Sequence, residues 1–319
     1  MIPETSCLVC YRPLDDAHSR YHPQCSQRLF GQPTAPELPY HYDELKEAAK
    51  KVVRSRVAVP GVQAKLSLNL EKSRKKSSRF TLVGLWGNFI LKPPVENYPR
   101  MPEIEHLTMH LAGLFKIDTV PHGLIHLKSG DLAYITRRID RTPGGEKMHM
   151  EDMCQLTERL TEDKYRGSME QVGKTIKRFS SNPLLDCIRF FDVALFSFLT
   201  GNADMHLKNF SLIYPVDEMV QLSPAYDMLA TRLLIPEKDD PEEMALTVNG
   251  KKRKLTIHDF EQLAANLSLN QKQTSNVFKR FSKALSATGT VIDHGFLPEE
   301  KKDEFKQLVA DRARRLRLV

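Results

Sequence analysis

The sequence predicts an α+β chain in two lobes, a β-rich first lobe and a helical second lobe, behind a small Cys-containing N-terminal appendage. Three observations carry this. Between about residues 40 and 140, apolar side chains recur at every second position in several short runs. After about residue 150 the spacing becomes helical. The first 25 residues hold four candidate metal ligands, and only two further Cys, Cys154 and Cys187, occur later. The expected boundaries are 1–38 for the appendage, 39–148 for the first lobe and 149–319 for the second.

The elements follow in order. Lys65 to Leu70 and Arg79 to Val83 alternate with a period of two, and each predicts a strand. Asn88 to Lys92 is a short strand stopped by Pro93 and Pro94. Ile104, Leu107, Leu111 and Leu114 share a helical face, so a helix is expected from about Pro102 to Leu114. Leu132 to Ile139 reads as another strand. From Leu184 to Leu199, a broad apolar face carries Leu184, Leu185, Ile188, Phe191, Leu195 and Phe198, with Asp186, Arg189 and Asp192 largely opposite. Pro183 fits its first turn. This helix is expected to be the buried spine of the second lobe. Residues 258–286 and 297–318 read as further helices; in the last, Phe305, Leu308, Val309, Ala313 and Leu316 recur at helical spacing. No internal repeat or low-complexity tract is evident.

Composition bounds the function. The 319 residues are 41% hydrophobic and 27% charged, enough for a sizeable core in an ordinary water-exposed chain. No apolar run approaches a membrane span, and the N-terminus has no basic region followed by an apolar core, so a cytoplasmic protein without membrane contact is expected. The net charge of +7 suits an anionic partner, but the Lys and Arg residues are mixed with acids, and a solvated surface is the preferred reading. The densest cationic stretch, DRARRLRLV at the C-terminus, reads more readily as a helix C-terminus than as a nucleic-acid contact.

The segment GNADMHLKNFSLIY, Gly201 to Tyr214, carries the most chemistry. Asp204 precedes Asn209 by five positions, His206 and Lys208 lie between them, and Asp227 follows in SPAYDML. An Asp-x-x-x-x-Asn spacing alone is common, and Asp204 alone would read as a turn cap. Here the spacing follows a buried helix, precedes a strand-like run and is followed by a second Asp. Phosphoryl transfer uses this set: one carboxylate orients the attacking hydroxyl, while an Asn oxygen and a second carboxylate hold magnesium. A hairpin of 209–214 with about 220–226 would bring Asn209 and Asp227 to one metal pocket. His206 and Lys208 are candidates to stabilise the loop or the transferring phosphoryl charge.

Three other constellations qualify. Gly61, Val62, Gln63 and Lys65 belong to a Pro-Gly turn entering a strand, which reads either as a plain turn or as a backbone cradle for phosphate. Lys92 ends an apolar strand, as a solvent-exposed lysine or as the strand lysine a kinase directs at the α- and β-phosphates; Glu103 and Glu105 on the following helix are candidates to orient it, with Glu105 preferred. Cys7-x-x-Cys10 and His22-x-x-Cys25 are two ligand pairs that would complete one Cys3His zinc site, or else are reduced thiols in a short hairpin. A strand-rich lobe, a helical lobe and a catalytic loop after a buried helix together make the organisation of a bilobal kinase.

The succession PGVQAKLSL, FILKPP, EHLTMHLA, ITRRIDR, DKY, GNADMHLKNFSLIY, SPAYDML and ALTVNGKK resembles the HipA-type serine/threonine kinases of bacterial toxin–antitoxin systems, from about residue 45 onward. The short stretch before Gly61 and the RRIDR segment, Arg137 to Arg141, look more like the shorter HipT branch. The resemblance implies a bilobal, protein-kinase-like fold, with ATP and Mg2+ as cofactors. It implies that Asp204 is the catalytic Asp, Asn209 and Asp227 the metal ligands, and Lys92 the ATP-contacting Lys. It further implies that the stretch Gly61 to Lys65 is the phosphate loop, and that adenine lies against Ile135, Arg137 and Ile139. Family members phosphorylate proteins, with aminoacyl-tRNA synthetases as the substrate class. The implied partners are a HipS-like small protein and a HipB-like DNA-binding antitoxin, with DNA reached only through the antitoxin.

One departure concerns control. The family carries autophosphorylated Ser residues just before the loop glycine, where this chain has Ala58-Val59-Pro60; Ser55 and Ser67 are the nearest alternatives. Other classes remain open at this point: an inactive kinase-fold module binding an antitoxin, a small-molecule kinase, or a zinc-dependent nucleic-acid binder.

Overall fold

Helix α1 (Pro23–Phe30) has proline in its first turn and closes at Gly31, whose φ of 76° is the left-handed conformation that ends helices. Helix α2 (Tyr42–Ser55) follows, then strands β1 (Leu66–Glu71), β2 (Arg79–Val83) and β3 (Phe89–Lys92), helix α3 (Met101–Leu114), and strands β4 (His122–His126) and β5 (Leu132–Arg137). This computed structural model describes residues 6–16, 18–55, 64–71, 77–84, 86–142, 144–215 and 219–319. The chain divides into two compact units. One comprises Met1–Leu107, Val120–Arg141 and His294–Leu297, and the other Thr108–Thr119, Thr142–Asp293 and Pro298–Val319.

Among the described residues the first unit carries an antiparallel sheet in the order β2-β1-β3-β5-β4. The period-two pattern sets its register: Leu68 lies opposite Leu82 and Phe89, and Leu91 opposite Ile135. Leu68, Phe80, Leu91 and Ile135 are wholly buried. Phe30 of α1 packs edge-on to Phe80 at 5.8 Å between ring centroids, and Phe80 meets Phe89 at 5.1 Å. The Cys-bearing segment therefore shares its core with the sheet.

The second unit begins with β6 (His149–Asp152), then α4 (Met153–Leu156), α5 (Met169–Phe179), α6 (Pro183–Thr200), β7 (Ser211–Tyr214), β8 (Gln221–Leu222), α7 (Ile257–Asn266), α8 (Gln271–His294) and α9 (Glu299–Arg315). The expected hairpin forms as β7 and β8, and β6, which no periodicity announced, pairs antiparallel with β7 from His149–Tyr214 to Asp152–Ser211. Side chains cap the helices: Ser168 with Gln171 starts α5, and Thr256 with Asp259 starts α7. Phe196 meets Phe115 at 5.3 Å, and Phe198 meets Phe260 at 5.2 Å. Each buried Phe supplies about 1.5–3 kcal/mol of transfer free energy.

Helix α6 is the spine expected, with its faces reassigned. Leu184 and Leu185, placed on the buried face, are 47% and 42% exposed, whereas Asp186 and Asp192, placed opposite, are 1% and 6% exposed. The reason is that the helix is surrounded from Phe190 onward and already enclosed at Asp186 and Cys187, and each buried carboxylate has a remote partner. Asp186 Oδ2 accepts from Ser180 Oγ (2.6 Å) and from the Leu222 backbone N–H (2.8 Å). Asp192 Oδ1 accepts from Arg280 (2.5 Å). Paired in this way, neither carries the full penalty of a buried charge.

The C-terminal cations are also partly internal. Arg315 forks onto Glu243 at 2.5 and 2.9 Å. Arg312 donates to the Phe198 carbonyl (3.1 Å), and burial pulls its guanidinium down to about 10. Two of the arginines in the densest cationic stretch thus fasten α9 inward.

Candidate active site

In the second unit the loop is built from the end of α6. Gly201 adopts φ 70°, and a Cβ there would lie 2.8 Å from Leu308 Cδ2 and 2.9 Å from Arg232 Cβ, so only glycine fits. The Asp204 N–H donates to Asn202 Oδ1 (3.1 Å) in a local turn, and the Ala203 N–H donates to Thr231 Oγ1 (2.9 Å). The Asp204 carbonyl accepts from the His206 N–H (2.8 Å) and from Asn209 Nδ2 (2.9 Å). With its nitrogen so engaged, buried Asn209 keeps Oδ1 as the side-chain atom that could hold a metal ion.

The Asp204 carboxylate is itself oriented: Tyr165 donates its hydroxyl to Oδ1 at 2.6 Å. Burial and this hydrogen bond push the Tyr165 phenol above its ordinary value, which keeps it a donor. The His206 ring stands edge-on to Tyr165 at 5.1 Å. Lys208 is turned toward Asp152, with Nζ 2.5 Å from Oδ2, while Asp152 Oδ1 caps α4 by accepting from the Gln155 N–H (3.0 Å). Tyr226 donates to the Lys208 carbonyl (3.0 Å) and shares a hydrogen bond with Ser211 Oγ (2.6 Å). This ties the residue before Asp227 to the residue before Asn209. Asp227 has φ 55°, a left-handed conformation that a non-glycine residue adopts with strain, which is frequent at functional positions.

In the first unit Lys92 is 4% exposed. Its ammonium pairs with Glu105 Oε1 and lies 5.2 Å from the centre of the Tyr134 ring. Glu103 instead binds Arg100 at 2.9 Å, and burial raises its carboxyl above the ordinary value. Of the two glutamates weighed from sequence, Glu105 makes the pair. Gly61, Val62 and Gln63 lie outside the described residues, as do Ala58 to Pro60; Lys65 is exposed. Ser55 ends α2, and Ser67 Oγ accepts from the Gly87 N–H (3.0 Å).

The strand assigned to adenine is shorter than expected. Ile135 is wholly enclosed and Arg137 half-buried, but β5 stops at Arg137, and Ile139 sits in the bend beyond it. Arg138 clamps Asp140 at 2.8 and 2.6 Å, and Arg141 joins at 2.9 Å, so local ion pairs turn the chain where apolar alternation suggested extension. In the same unit, the sulfurs of Cys7, Cys10 and Cys25 and a ring nitrogen of His22 lie within 4.8 Å of one another.

Tyr165 and Asp152 are the residues that motif reading missed. The Asp-x-x-Gln capping pattern at 152–155 was a usable signal for Asp152. Tyr165 lies in the DKY segment noted above, but nothing local assigns it to Asp204.

Residues 57–288 match the family described as HipA-like C-terminal domain. This chain belongs to that family. A relative in Sinorhizobium fredii, named putative kinase Y4dM, is 34% identical over 231 residues, covering 68% of this chain and 55% of that protein. The serine/threonine-protein kinase toxin HipA of Shewanella oneidensis is 28% identical over 231 residues, covering 66% of this chain and 51% of that protein. The chain thus spans about half the length of these HipA-like relatives. Among solved structures, Shewanella oneidensis HipA, determined with HipB and its operator DNA, superposes with a TM-score of 0.66 at 21% identity, over 87% of this chain and 71% of that one. The fold is that of HipA. Among the described residues, no helix is long and apolar enough to cross a membrane.

Proposed function

We propose that this chain is an ATP- and magnesium-dependent serine/threonine protein kinase. The observation that carries the reading is one turn of chain in which Asp204 is oriented by Tyr165 through its carboxylate and bound to Asn209 through its carbonyl. Asp204 orients the substrate hydroxyl and takes its proton late in the transfer. Asn209 Oδ1 and the Asp227 carboxylate are hard oxygen donors of the kind magnesium takes. Bound there, magnesium screens the phosphate charge. Lys92, buried beside Glu105, presents a fixed cation to the α- and β-phosphates. By the family resemblance, the sequence Gly61 to Lys65 serves as the phosphate loop, and Arg137 and Ile139 border the adenine. Catalysis is then mostly positioning and electrostatics.

Similarity to the Shewanella toxin kinase supports a wider reading. In it, the chain is the toxin of a toxin–antitoxin system, of the shorter HipT type, and phosphorylates a translation component such as an aminoacyl-tRNA synthetase. A HipS-like small protein and a HipB-like DNA-binding antitoxin are its partners.

The test incubates purified chain with γ-labelled ATP, magnesium and a cell extract, in parallel with Asp204→Gln. A labelled protein band that the variant does not produce is expected. Labelling by Asp204→Gln would remove Asp204 as the base, label in a metabolite would make the chain a small-molecule kinase, and no label at all would make it a binding module.

A further inference from the structure

We propose that Cys7, Cys10, His22 and Cys25 form a tetrahedral structural zinc site that clips the N-terminal segment onto the open edge of the first sheet. The site is independent of the phosphoryl-transfer reading.

The geometry fits the metal. Zinc–sulfur bonds of about 2.3 Å and a zinc–nitrogen bond of about 2.05 Å place tetrahedral sulfurs about 3.8 Å apart and a sulfur and nitrogen about 3.5 Å apart. Here all four ligand atoms lie within 4.8 Å of one another, and Cys10 Sγ is 3.4 Å from His22 Nδ1. The imidazole is set for it: His22 Nε2 is 2.9 Å from the Pro13 carbonyl, which takes the ring proton on that side and turns the Nδ1 lone pair toward the sulfurs. Two backbone devices make the pairs. The Tyr11 N–H bonds to the Cys7 carbonyl (3.0 Å) with Tyr11 at φ 62°, which folds Cys7 and Cys10 onto one side. His22 is the N-cap of α1 and Cys25 lies in its first turn, so the two share one face.

The consequence lies in the sheet. β4 is an edge strand, and the N–H and C=O of Leu124 point away from β5. Leu124 donates to the Leu8 carbonyl (2.9 Å) and accepts from the Tyr21 hydroxyl (2.7 Å). Leu8 lies between the first two ligands, and Tyr21 immediately precedes the third. Gly123 packs closely beside them: a Cβ there would lie 2.9 Å from Val9 Cγ2 and 2.8 Å from Leu29 Cδ2 and would push these side chains aside. Tyr11, next to Cys10, packs on His106 of α3 at 4.9 Å. A stretch of about 25 residues with one short helix encloses little core of its own, and a metal would add its binding free energy to the packing of Leu29 and Phe30 on the sheet.

The experiment uses the full chain purified without chelator. Elemental analysis should find one zinc per chain, falling roughly tenfold or more in Cys10→Ser and Cys25→Ser and unchanged in Cys187→Ala, whose thiol is buried in α6. Because a serine variant that fails to fold would lose zinc for that reason alone, wild type is also stripped with a chelator and followed by hydrogen exchange. Exchange at residues 6–30 and 122–126 should rise, zinc should reverse it, α6 should be unaffected, and cobalt in place of zinc should give tetrahedral thiolate absorption. Metal-free protein with three titratable thiols, a disulfide within the cluster, or stripping that leaves Leu124 exchange unchanged would each overturn the proposal.

Discussion

Replacing Glu105 with Ala tests the buried Lys92–Glu105 pair of the first unit most directly. The Lys92 and Glu105 side chains are 5% and 1% exposed and form an ion pair. Removing one member of a buried pair while its partner's charge stays in place destabilises by about 3–5 kcal/mol. The lower end applies, because the Tyr134 ring remains 5.2 Å from Nζ and still interacts with the ammonium. A loss of about 3 kcal/mol lowers the melting temperature by roughly 4–5 °C, since an unfolding entropy of about 2.1 cal/mol/K per residue gives about 1.5 °C per kcal/mol for a chain of this length. The double variant Lys92→Met with Glu105→Leu should recover most of that stability, since a buried pair replaced by apolar side chains of similar volume is often neutral. It should recover no kinase activity. Urea unfolding read by fluorescence, with labelled-ATP transfer in parallel, separates the two effects. A Glu105→Ala protein within about 0.5 kcal/mol of wild type, or a double variant no more stable than the single one, would refute the argument that this pair is held by burial.

Two further outcomes follow from the second unit. Tyr165→Phe removes the donor to Asp204 and leaves the ring against His206; a hydrogen bond to a charged group is worth about 1.5–3 kcal/mol, so kcat should fall roughly tenfold with KM for ATP unchanged, and an equal loss in ATP affinity would contradict a positioning role. For Asp259, burial raises the carboxyl, but hydrogen bonds from Lys251, Asn249 and Thr256 outweigh it and hold the group at about 2, below its ordinary 3.8. A depressed folded value means that this contribution, about 2 kcal/mol, is complete above about pH 4 and lost as pH falls toward 2; denaturation across that range should show a shallower acid slope in Asp259→Asn.

Much of the site was legible because it is local. Asp204 and Asn209 are five residues apart and meet through the Asp204 carbonyl, so their spacing alone encodes the turn. β7 and α6 were legible for the same reason, since alternation and helical spacing are written in consecutive residues. Illegible features depend on distant chain. Tyr165 reaches Asp204 across 39 positions, and Lys208 reaches Asp152 across 56. The Arg138–Asp140 clamp that ends β5 before Ile139 overrides an apolar alternation that looked continuous.

The sequence by itself determined the strands and helices with clear periodicity, the turn from Asp204 to Asn209 and the four Cys and His ligand candidates, because each is set by periodicity or spacing within a few residues. Tertiary structure alone decided which polar groups are inside. Asp186 and Asp192 read as the solvent side of α6 until Leu222 and Arg280, 36 and 88 positions away, supply their partners. A helical wheel records which side chains are apolar; it carries no record of the distant donors that make a buried carboxylate affordable.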